Sequence, residues 1–391
     1  MRVLFIFGTR PEAIKLCPVI RHIQDCCNDL EARVCVTAQH RSMLDQVLAA
    51  FGVAPDIDLN LMQQGQTLSQ LTARILSALE PVLESERPDI VLVQGDTTTT
   101  FAAALAAFYG QTPVGHVEAG LRTGDLRQPF PEEMNRVCTT RLSDLHFAPT
   151  ARSVSNLLAE GVDARRVALT GNSGIDAVLY VRDALDAGRL TGLEWNQIDP
   201  KKRLIVVTAH RRESFGPGFE RICRALARLA QRDDVQLVYP VHRNPNVLDP
   251  VNRILQGQAN VLLLEPLEYV PFVDLMRRAD LLITDSGGIQ EEGPSLGKPI
   301  LVIREKTERP EAVEAGTVKL VGTDEDRIVE QAALLLDNHS EYASMTRVHN
   351  PYGDGQASAR IAAGIRAFLS GSSAGRGLLQ DLDRPLRIGE S

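Results

Sequence analysis

Three carboxylates follow apolar segments in the first half of the chain. Asp96 comes shortly after Ile90–Val93, Glu118 directly follows Val114–Val117, and Glu132 lies in a Pro-Phe-Pro-Glu-Glu stretch soon afterwards. A carboxylate that ends an apolar strand must find a partner or a function. Carboxylates that share a site raise one another's pKa and can act as general acid and base. The pattern therefore predicts a catalytic cluster, although Asp96 taken alone could equally be a helix N-cap.

Two histidines occupy equivalent positions in the second half. His210 and His242 each come shortly after an apolar segment, and each is followed directly by an arginine. A single histidine is more often structural, but two at equivalent strand ends beside cations favour a role in proton transfer or anion binding.

A third pattern is typical of phosphate binding. Ser286–Gly288 follows an apolar segment, so bare backbone N–H groups at a helix start could approach phosphate oxygens, with Glu292 one turn later placed to accept ribose hydroxyls. Arg309 follows the next segment, and Arg10 and Lys15 follow the first segment of the chain. The layout suits a pyrophosphate with a sugar at each end. For Arg10 and Lys15 alone, an ordinary strand-to-helix turn with two solvated cations is the alternative.

Short Val-, Leu- and Ile-rich segments recur along the chain, separated by stretches long enough for a helix. Such near-continuous apolar strands predict parallel sheets covered on both faces, and their even division along the chain predicts two similar α/β domains. We expect domains at residues 1–181 and 203–369, a linker at 182–202 and a loosely ordered tail at 370–391. Ligands of such folds bind beyond the carboxyl ends of the strands. The predicted strands are Val3–Phe7, Val34–Val36, Ile90–Val93, Val114–Val117, Leu145–Phe147, Val167–Leu169, Leu204–Val207, Val235–Tyr239, Val261–Leu264, Leu281–Ile283, Ile300–Ile303 and Val318–Val321.

Composition excludes several classes of function. The 391 residues carry a formal net charge of −8, which disfavours nucleic acid and anionic membranes as partners. No apolar run approaches the roughly 18 to 20 residues of a membrane span. The six cysteines show neither Cys-x-x-Cys nor zinc-ligand spacing, so we expect reduced thiols, a cytoplasmic protein and no metal site.

The segments that carry this chemistry resemble the non-hydrolysing UDP-N-acetylglucosamine 2-epimerases of bacteria over roughly residues 1–368. The resemblance implies two Rossmann-like doubly wound domains in the glycosyltransferase-B arrangement with a central cleft. It also implies a homodimer, UDP-N-acetylglucosamine as substrate and no cofactor. The matching segments are FGTRPEAIK (7–15), AQHRSMLDQVL (38–48), GDTTTTFAAALAAFY (95–109), GHVEAGLRT (115–123), FPEEMNR (130–136), TGNSGIDA (170–177), TAHRRES (208–214), YPVH (239–242), TDSGGIQEEGPSLGKP (284–299), TERPEAVEAGT (307–317) and NPYGDG (350–355).

The resemblance also implies roles for individual residues. The matches to UDP-binding positions are Arg10, His210, Ser286, Gly287, Gly288 and Glu292, with Phe272 near the uracil. Of these, His210 is also expected to be catalytic, because it would stabilise the charge of the leaving group. Further active-site positions are matched by Lys15, Arg136, His242 and Arg309, and the catalytic carboxylates by Asp96, Glu118 and Glu132.

The family reaction follows from the chemistry of the substrate. The sugar C2–H is not α to a carbonyl, so the family eliminates UDP to give 2-acetamidoglucal and then adds UDP back with the C2 proton on the opposite face. Which carboxylate removes that proton and which delivers it is left open. In some members a second substrate molecule binds beside the segment that is Gln39-His40-Arg41 here. Ser42 and Gly65 depart from the pattern expected of such activated members, which weakens this allosteric hypothesis.

Three other functions remain alternatives at this point. Close relatives epimerise UDP-2,3-diacetamido sugars, and the same architecture serves glycosyltransferases. A protein that only binds nucleotide sugars would tolerate loss of the three carboxylates, all of which are present.

Overall fold

A computed structural model describes residues 1–37, 41–63, 65–347 and 349–371. The chain forms two compact units, one of Met1–Ala177 with the residues from Gly353 onward and one of Val178–Tyr352. Within the described residues, no helix is both long enough and apolar enough to cross a bilayer.

The first unit is built on a parallel sheet of order β3-β2-β1-β4-β5-β6-β7. Its strands are β1 (Arg2–Phe7), β2 (Glu31–Val36), β3 (Ile57–Asp58), β4 (Ile90–Gln94), β5 (Val114–Val117), β6 (Leu145–Ala148) and β7 (Val167–Leu169). Its helices are α1 (Arg10–Cys26), α2 (Arg41–Phe51), α3 (Leu68–Glu86), α4 (Thr98–Tyr109), α5 (Glu132–Leu142), α6 (Ala151–Ala159) and the start of α7 (Ser173–Asp186). Helices cover both faces of the sheet, and the apolar residues Val3–Phe7 of β1 are completely buried for that reason.

The second unit repeats this plan with a parallel sheet of order β10-β9-β8-β11-β12-β13. Its strands are β8 (Arg203–Thr208), β9 (Val235–Pro240), β10 (Val261–Leu264), β11 (Leu281–Thr284), β12 (Ile300–Val302) and β13 (Val318–Leu320). Its helices are the rest of α7 and α8 (Pro217–Leu229), α9 (Pro245–Leu255), α10 (Tyr269–Arg278), α11 (Gly287–Glu292), α12 (Pro310–Glu314), α13 (Glu325–Asp337) and α14 (His339–Thr346). The core includes Phe219, Tyr239 and Ile283.

Both strand orders are doubly wound, which confirms the predicted fold class and all twelve predicted strands. The order reverses between β1 and β4 in the first sheet and between β8 and β11 in the second. Ligands of such sheets bind at these switch points. Strand β3 was not predicted from the sequence, because a strand of two residues has no recognisable apolar pattern.

The predicted domain boundaries need correction at the C-terminal end. The last described helix, α15 (Ala357–Leu369), was assigned with residues 203–369 to the second domain but belongs to the first unit. The Arg366 guanidinium donates to the Asp29 carboxylate at 2.6–3.0 Å, and the Ser358 N–H donates to Asp176 at 2.8 Å. These contacts form only in the folded unit, so sequence order alone gave the wrong assignment.

The segment predicted as a linker at 182–202 lies inside the second unit. Its Trp195 indole N–H donates to the Asp274 carboxylate at 2.6 Å, and the Asp199 N–H donates to Gln236 at 2.8 Å. Of the predicted tail at 370–391, the part after Gly371 lies outside the described residues.

Candidate active site

The loop after β4 and the start of α5 hold the first carboxylate. Arg136 donates from its guanidinium to Asp96 and also lies 3.2 Å from the Glu133 carboxylate. The Asn135 side chain donates to the main-chain oxygen of Asp96 at 2.9 Å. Thr97, not Asp96, caps α4, since its hydroxyl accepts from the backbone of the first helical turn. The N-cap interpretation of Asp96 is therefore wrong, and its carboxylate pairs with a cation instead.

Glu118 follows β5 in an unusual backbone conformation. Its φ is +64°, in the left-handed region that residues other than glycine seldom adopt and that costs free energy. Its side chain is 9% exposed and accepts hydrogen bonds from Lys15 and from the Gln94 amide. The structure thus brings the predicted residues Lys15 and Glu118 together and fixes the carboxylate by two donors.

Glu132 begins α5, four residues before Arg136 on the same helical face. One of its carboxylate oxygens, Oε2, is buried without a hydrogen-bond partner among the described residues. A buried polar atom without a partner costs free energy, so this oxygen is suited to accept a hydrogen bond from a bound molecule. Arg10, the first residue of α1, is half-buried and has no side-chain partner in the part of the chain that the structure describes.

In the second unit, Asp285 organises the switch point between β8 and β11. Its carboxylate accepts the His210 N–H at 2.6 Å and the Arg211 N–H at 2.7 Å. The same carboxylate lies 3.5 Å from Nδ1 of the His210 ring, which stacks on the His242 ring with centroids 5.5 Å apart. Burial lowers the pKa of His210 despite the opposing effect of Asp285, so the imidazole is neutral at neutral pH in the free protein. The two predicted histidines therefore lie together.

The Ser286–Gly288 turn leads into α11 as predicted. A Cβ on Gly287 would lie 2.7 Å from the Arg309 guanidinium carbon, so glycine lets that cation lie against the backbone. A Cβ on Gly288 would meet nothing closer than the Ser286 hydroxyl at 4.0 Å, so the backbone there is open. The Glu291 carboxylate accepts from Arg309 at 2.9 Å and fixes its position. A cation and bare backbone thus occur side by side, as an anionic ligand requires.

Glu292 ends α11 and lies near the first turn of α10. Burial, with a smaller contribution from the Glu292 charge, raises the pKa of the Tyr269 hydroxyl, which has no hydrogen-bond partner among the described residues. Phe272 is half-buried on the same helix, one turn further on. The helix that carries Phe272 therefore begins near the carboxylate predicted to bind ribose.

Sequence reasoning missed several residues that hold the predicted ones in place. Asp285 and Glu291 hold His210 and Arg309, and Gln94 holds Glu118. Glu12 joins Thr9, which precedes Arg10, to Thr97, which follows Asp96. The only sequence signal for Glu12 and Asp285 was an acid at a helix start or a strand end. Their burial, which makes hydrogen-bond donors necessary, is seen only in the fold.

Two predictions concern sites that the structure does not place. Gln39 and His40, the candidate allosteric residues, lie outside the described residues. Among the residues that are described, no group of three or more His, Cys, Asp or Glu side chains is arranged to hold a metal ion.

Comparisons with known proteins point to one family. A family model described as UDP-N-acetylglucosamine 2-epimerase matches residues 24–366. The UDP-N-acetylglucosamine 2-epimerase of Escherichia coli K12 is 59% identical over 366 residues, covering 92% of this chain and 97% of that protein. The enzyme of the same name from Salmonella typhimurium is 57% identical, covering 94% and 99%. The crystal structure of UDP-GlcNAc 2-epimerase from Neisseria meningitidis bound to UDP-GlcNAc is 49% identical with a TM-score of 0.85, covering 93% and 99%.

Proposed function

Because the chain belongs to the UDP-N-acetylglucosamine 2-epimerase family, we propose that it interconverts UDP-N-acetylglucosamine and UDP-N-acetylmannosamine. The geometry of Glu118 is the main support for catalysis by the first unit. Its carboxylate is almost buried, its backbone is strained, and Lys15 and Gln94 both donate hydrogen bonds to it. Strain of this kind persists where the surrounding structure fixes a side chain for a task.

The second unit supplies the groups that a departing diphosphate needs. As the bond from C1 to the UDP oxygen breaks, negative charge develops on the β-phosphate and must be stabilised in place. Arg309 offers a cation, and the open backbone at Gly288 offers N–H donors. The imidazole of His210 offers a donor that can also take up a proton. Glu292 and Phe272 would contact the ribose and the uracil, and Ser286 and His242 would complete the UDP-binding set of this unit. The UDP-binding role implied for Arg10 would come from the first unit.

The first unit supplies the groups for the sugar. Asp96, Glu118 and Glu132 would stabilise oxocarbenium character at C1 and carry the C2 proton away from one face and back to the other. Lys15 and Arg136 would keep two of these carboxylates oriented, as they do in the structure. Elimination gives 2-acetamidoglucal and UDP, and re-addition gives the epimer, so the reaction needs no redox cofactor. Since arginine, histidine and backbone N–H groups can balance the phosphate charge, we expect full activity in EDTA.

Hydrogen exchange at C2 tests the proposal directly. The protein is incubated with UDP-N-acetylglucosamine in D2O, and the sugar is followed by NMR. We expect the manno epimer to appear with deuterium at C2, because the proton removed equilibrates with solvent before re-addition. Absence of both exchange and epimer in a protein shown to bind UDP would contradict the proposal, and transfer of the sugar to an acceptor would indicate a glycosyltransferase.

We also propose that the protein acts as a homodimer in the cytoplasm. Tyr109 and Phe108 at the end of α4 are 70% and 56% exposed, beside a groove of about 390 Å³ whose lining includes Leu76 and Leu83 of α3. Exposed aromatic residues beside a groove lined by both apolar and polar side chains are typical of a protein interface, and a second copy is the simplest partner. Free thiols at all six cysteines fit a reducing compartment.

Light scattering after size exclusion tests the dimer. Tyr109→Asp should give a monomer, because a charge would be buried at the interface. Leu158→Asp is the matched control, since Leu158 is an exposed apolar residue of α6 away from this groove. A wild-type monomer at micromolar concentration would contradict the proposal.

A further inference from the structure

Glu12, in the first turn of α1, is 1% exposed and accepts hydrogen bonds from four donors. Its Oε2 accepts the N–H groups of Gly8 and Thr9 at 3.1 and 2.7 Å. Its Oε1 accepts from the hydroxyls of Thr97 and Thr100 at 2.8 and 3.1 Å. One carboxylate therefore joins the turn after β1 to the start of α4, which follows β4.

This arrangement does more than cap a helix. In an ordinary capping box, the residue at the third helical position accepts only the N–H of the N-cap. Gln70 does this for Thr67 at the start of α3, at 3.0 Å on the surface. Glu12 accepts the N–H of Thr9 in the same way, but its other oxygen binds a second helix start 85 residues further along the chain.

The two turns that Glu12 joins flank the switch point of the first sheet. Thr9 directly precedes Arg10, and Thr97 directly follows Asp96. We propose that Glu12 is a positioning residue for the reaction, because its carboxylate fixes the spacing between the turn that presents Arg10 and the turn that presents Asp96. This inference rests on the proposed epimerase function and adds to it a residue that does not itself touch the substrate.

The link that Glu12 makes between the two turns needs two polar atoms at a fixed separation rather than a charge. Burial raises the pKa of the Glu12 carboxyl, which means that the folded protein disfavours its charged form. Glutamine can place its oxygen toward the two backbone N–H groups and its NH2 toward the threonine hydroxyls, which can accept as well as donate. Aspartate is one methylene shorter and cannot span both turns, and alanine leaves two buried N–H groups without a partner.

The test compares turnover in Glu12→Gln, Glu12→Asp and Glu12→Ala, with UDP affinity measured by calorimetry and folding checked by circular dichroism. We expect kcat to fall about 10–100-fold in the Asp and Ala variants, because displacing a reacting group by about 1 Å costs that much, and to stay within about threefold of wild type in Glu12→Gln. UDP affinity should fall less than kcat, since the second unit also holds UDP. Gln70→Ala is the matched control and should lower the melting temperature without changing kcat.

The outcomes separate this inference from the proposed function. A wild-type protein without turnover overturns both. If the wild type is active, two results would overturn only the positioning role of Glu12. One is an unchanged kcat in a folded Glu12→Ala variant, and the other is an equal kcat in Glu12→Asp and Glu12→Gln. If Glu12→Ala does not fold, Thr97→Ala and Thr97→Ser test the same link, because only the serine variant keeps the hydroxyl that donates to Glu12. Equal kcat in these two folded proteins would overturn the inference.

Discussion

The two units share one strand order, apart from a seventh strand in the first, but carry opposite chemistry at their switch points. In the first unit, the acids Glu118 and Asp96 are paired with the cations Lys15 and Arg136. In the second unit, the bases His210 and Arg309 are held by the buried acids Asp285 and Glu291. The same doubly wound sheet thus positions acids in one case and anion-binding groups in the other. Function is determined by the loops that follow the strands and not by the sheet itself.

The comparison predicts that losing a carboxylate of the first unit impairs turnover and spares UDP binding. Glu118→Gln should lower kcat about 10²–10⁴-fold, the range of general acid–base catalysis, because an amide cannot exchange the C2 proton. UDP affinity, measured by calorimetry, should stay close to wild type. The control is Glu86→Gln, which removes a carboxylate paired with Arg33 at 3.1 Å in the same unit and should not affect kcat. Equal losses of turnover and UDP binding would show that Glu118 is structural.

The first unit should also be the more acid-sensitive one. His116 and His146 pair across β5 and β6, and burial lowers their pKa values to about 4 and about 3. As the pH falls below about 6.5, the unfolded chain binds protons that the folded chain does not, so stability declines. Each histidine should reduce the free energy of unfolding by roughly 3 kcal/mol between pH 6.5 and pH 4.

Urea unfolding at several pH values measures this loss. His146→Leu should flatten the decline, whereas His339→Gln, at an exposed position, should leave it as in wild type. The same pH dependence in His146→Leu and wild type would contradict the assignment.

In the second unit, the affinity for UDP should depend on how closely a phosphate can approach the backbone at Gly288. Gly288→Ala places a methyl group where the nearest atom of the protein is 4.0 Å away, so the fold should tolerate it. UDP affinity should nevertheless fall roughly tenfold, about 1.4 kcal/mol, because a phosphate can no longer reach the backbone. Gly218→Ala, at the start of α8 with its nearest atom at 3.7 Å, should keep both stability and UDP affinity. Unchanged UDP affinity in Gly288→Ala would place the phosphates elsewhere.

The smallest expected effect concerns the charge of His210. Burial keeps this imidazole neutral in the free protein, and a bound diphosphate would raise its pKa, so UDP binding should take up a fraction of a proton near pH 7. Calorimetry in two buffers of different ionisation enthalpy measures that uptake. It should disappear in His210→Asn and persist in His22→Gln. Equal proton uptake in wild type and His210→Asn would assign the titration to another group.

The sheets, and the strand ends at which the candidate site residues lie, could largely be predicted from sequence. Apolar runs mark strands that are buried on both faces, and strand ends in a doubly wound fold converge on one edge. The residues that hold the site could not be predicted in the same way. Glu12 and Asp285 are charged residues without a distinctive spacing, and their partners are brought close only by the fold. Nor does any pattern indicate a left-handed φ at Glu118, since the sequence has a glutamate where such a conformation favours glycine.

The return of α15 to the first unit has a consequence for biosynthesis. The face of α1 that receives α15 stays uncovered until the whole second unit has been translated, roughly 10 to 35 seconds at 5–20 residues per second. The second unit is continuous in sequence and can finish folding before the first. A chain that stops before Gly353 would therefore leave the first unit incomplete, even though the missing residues follow the whole second unit in sequence.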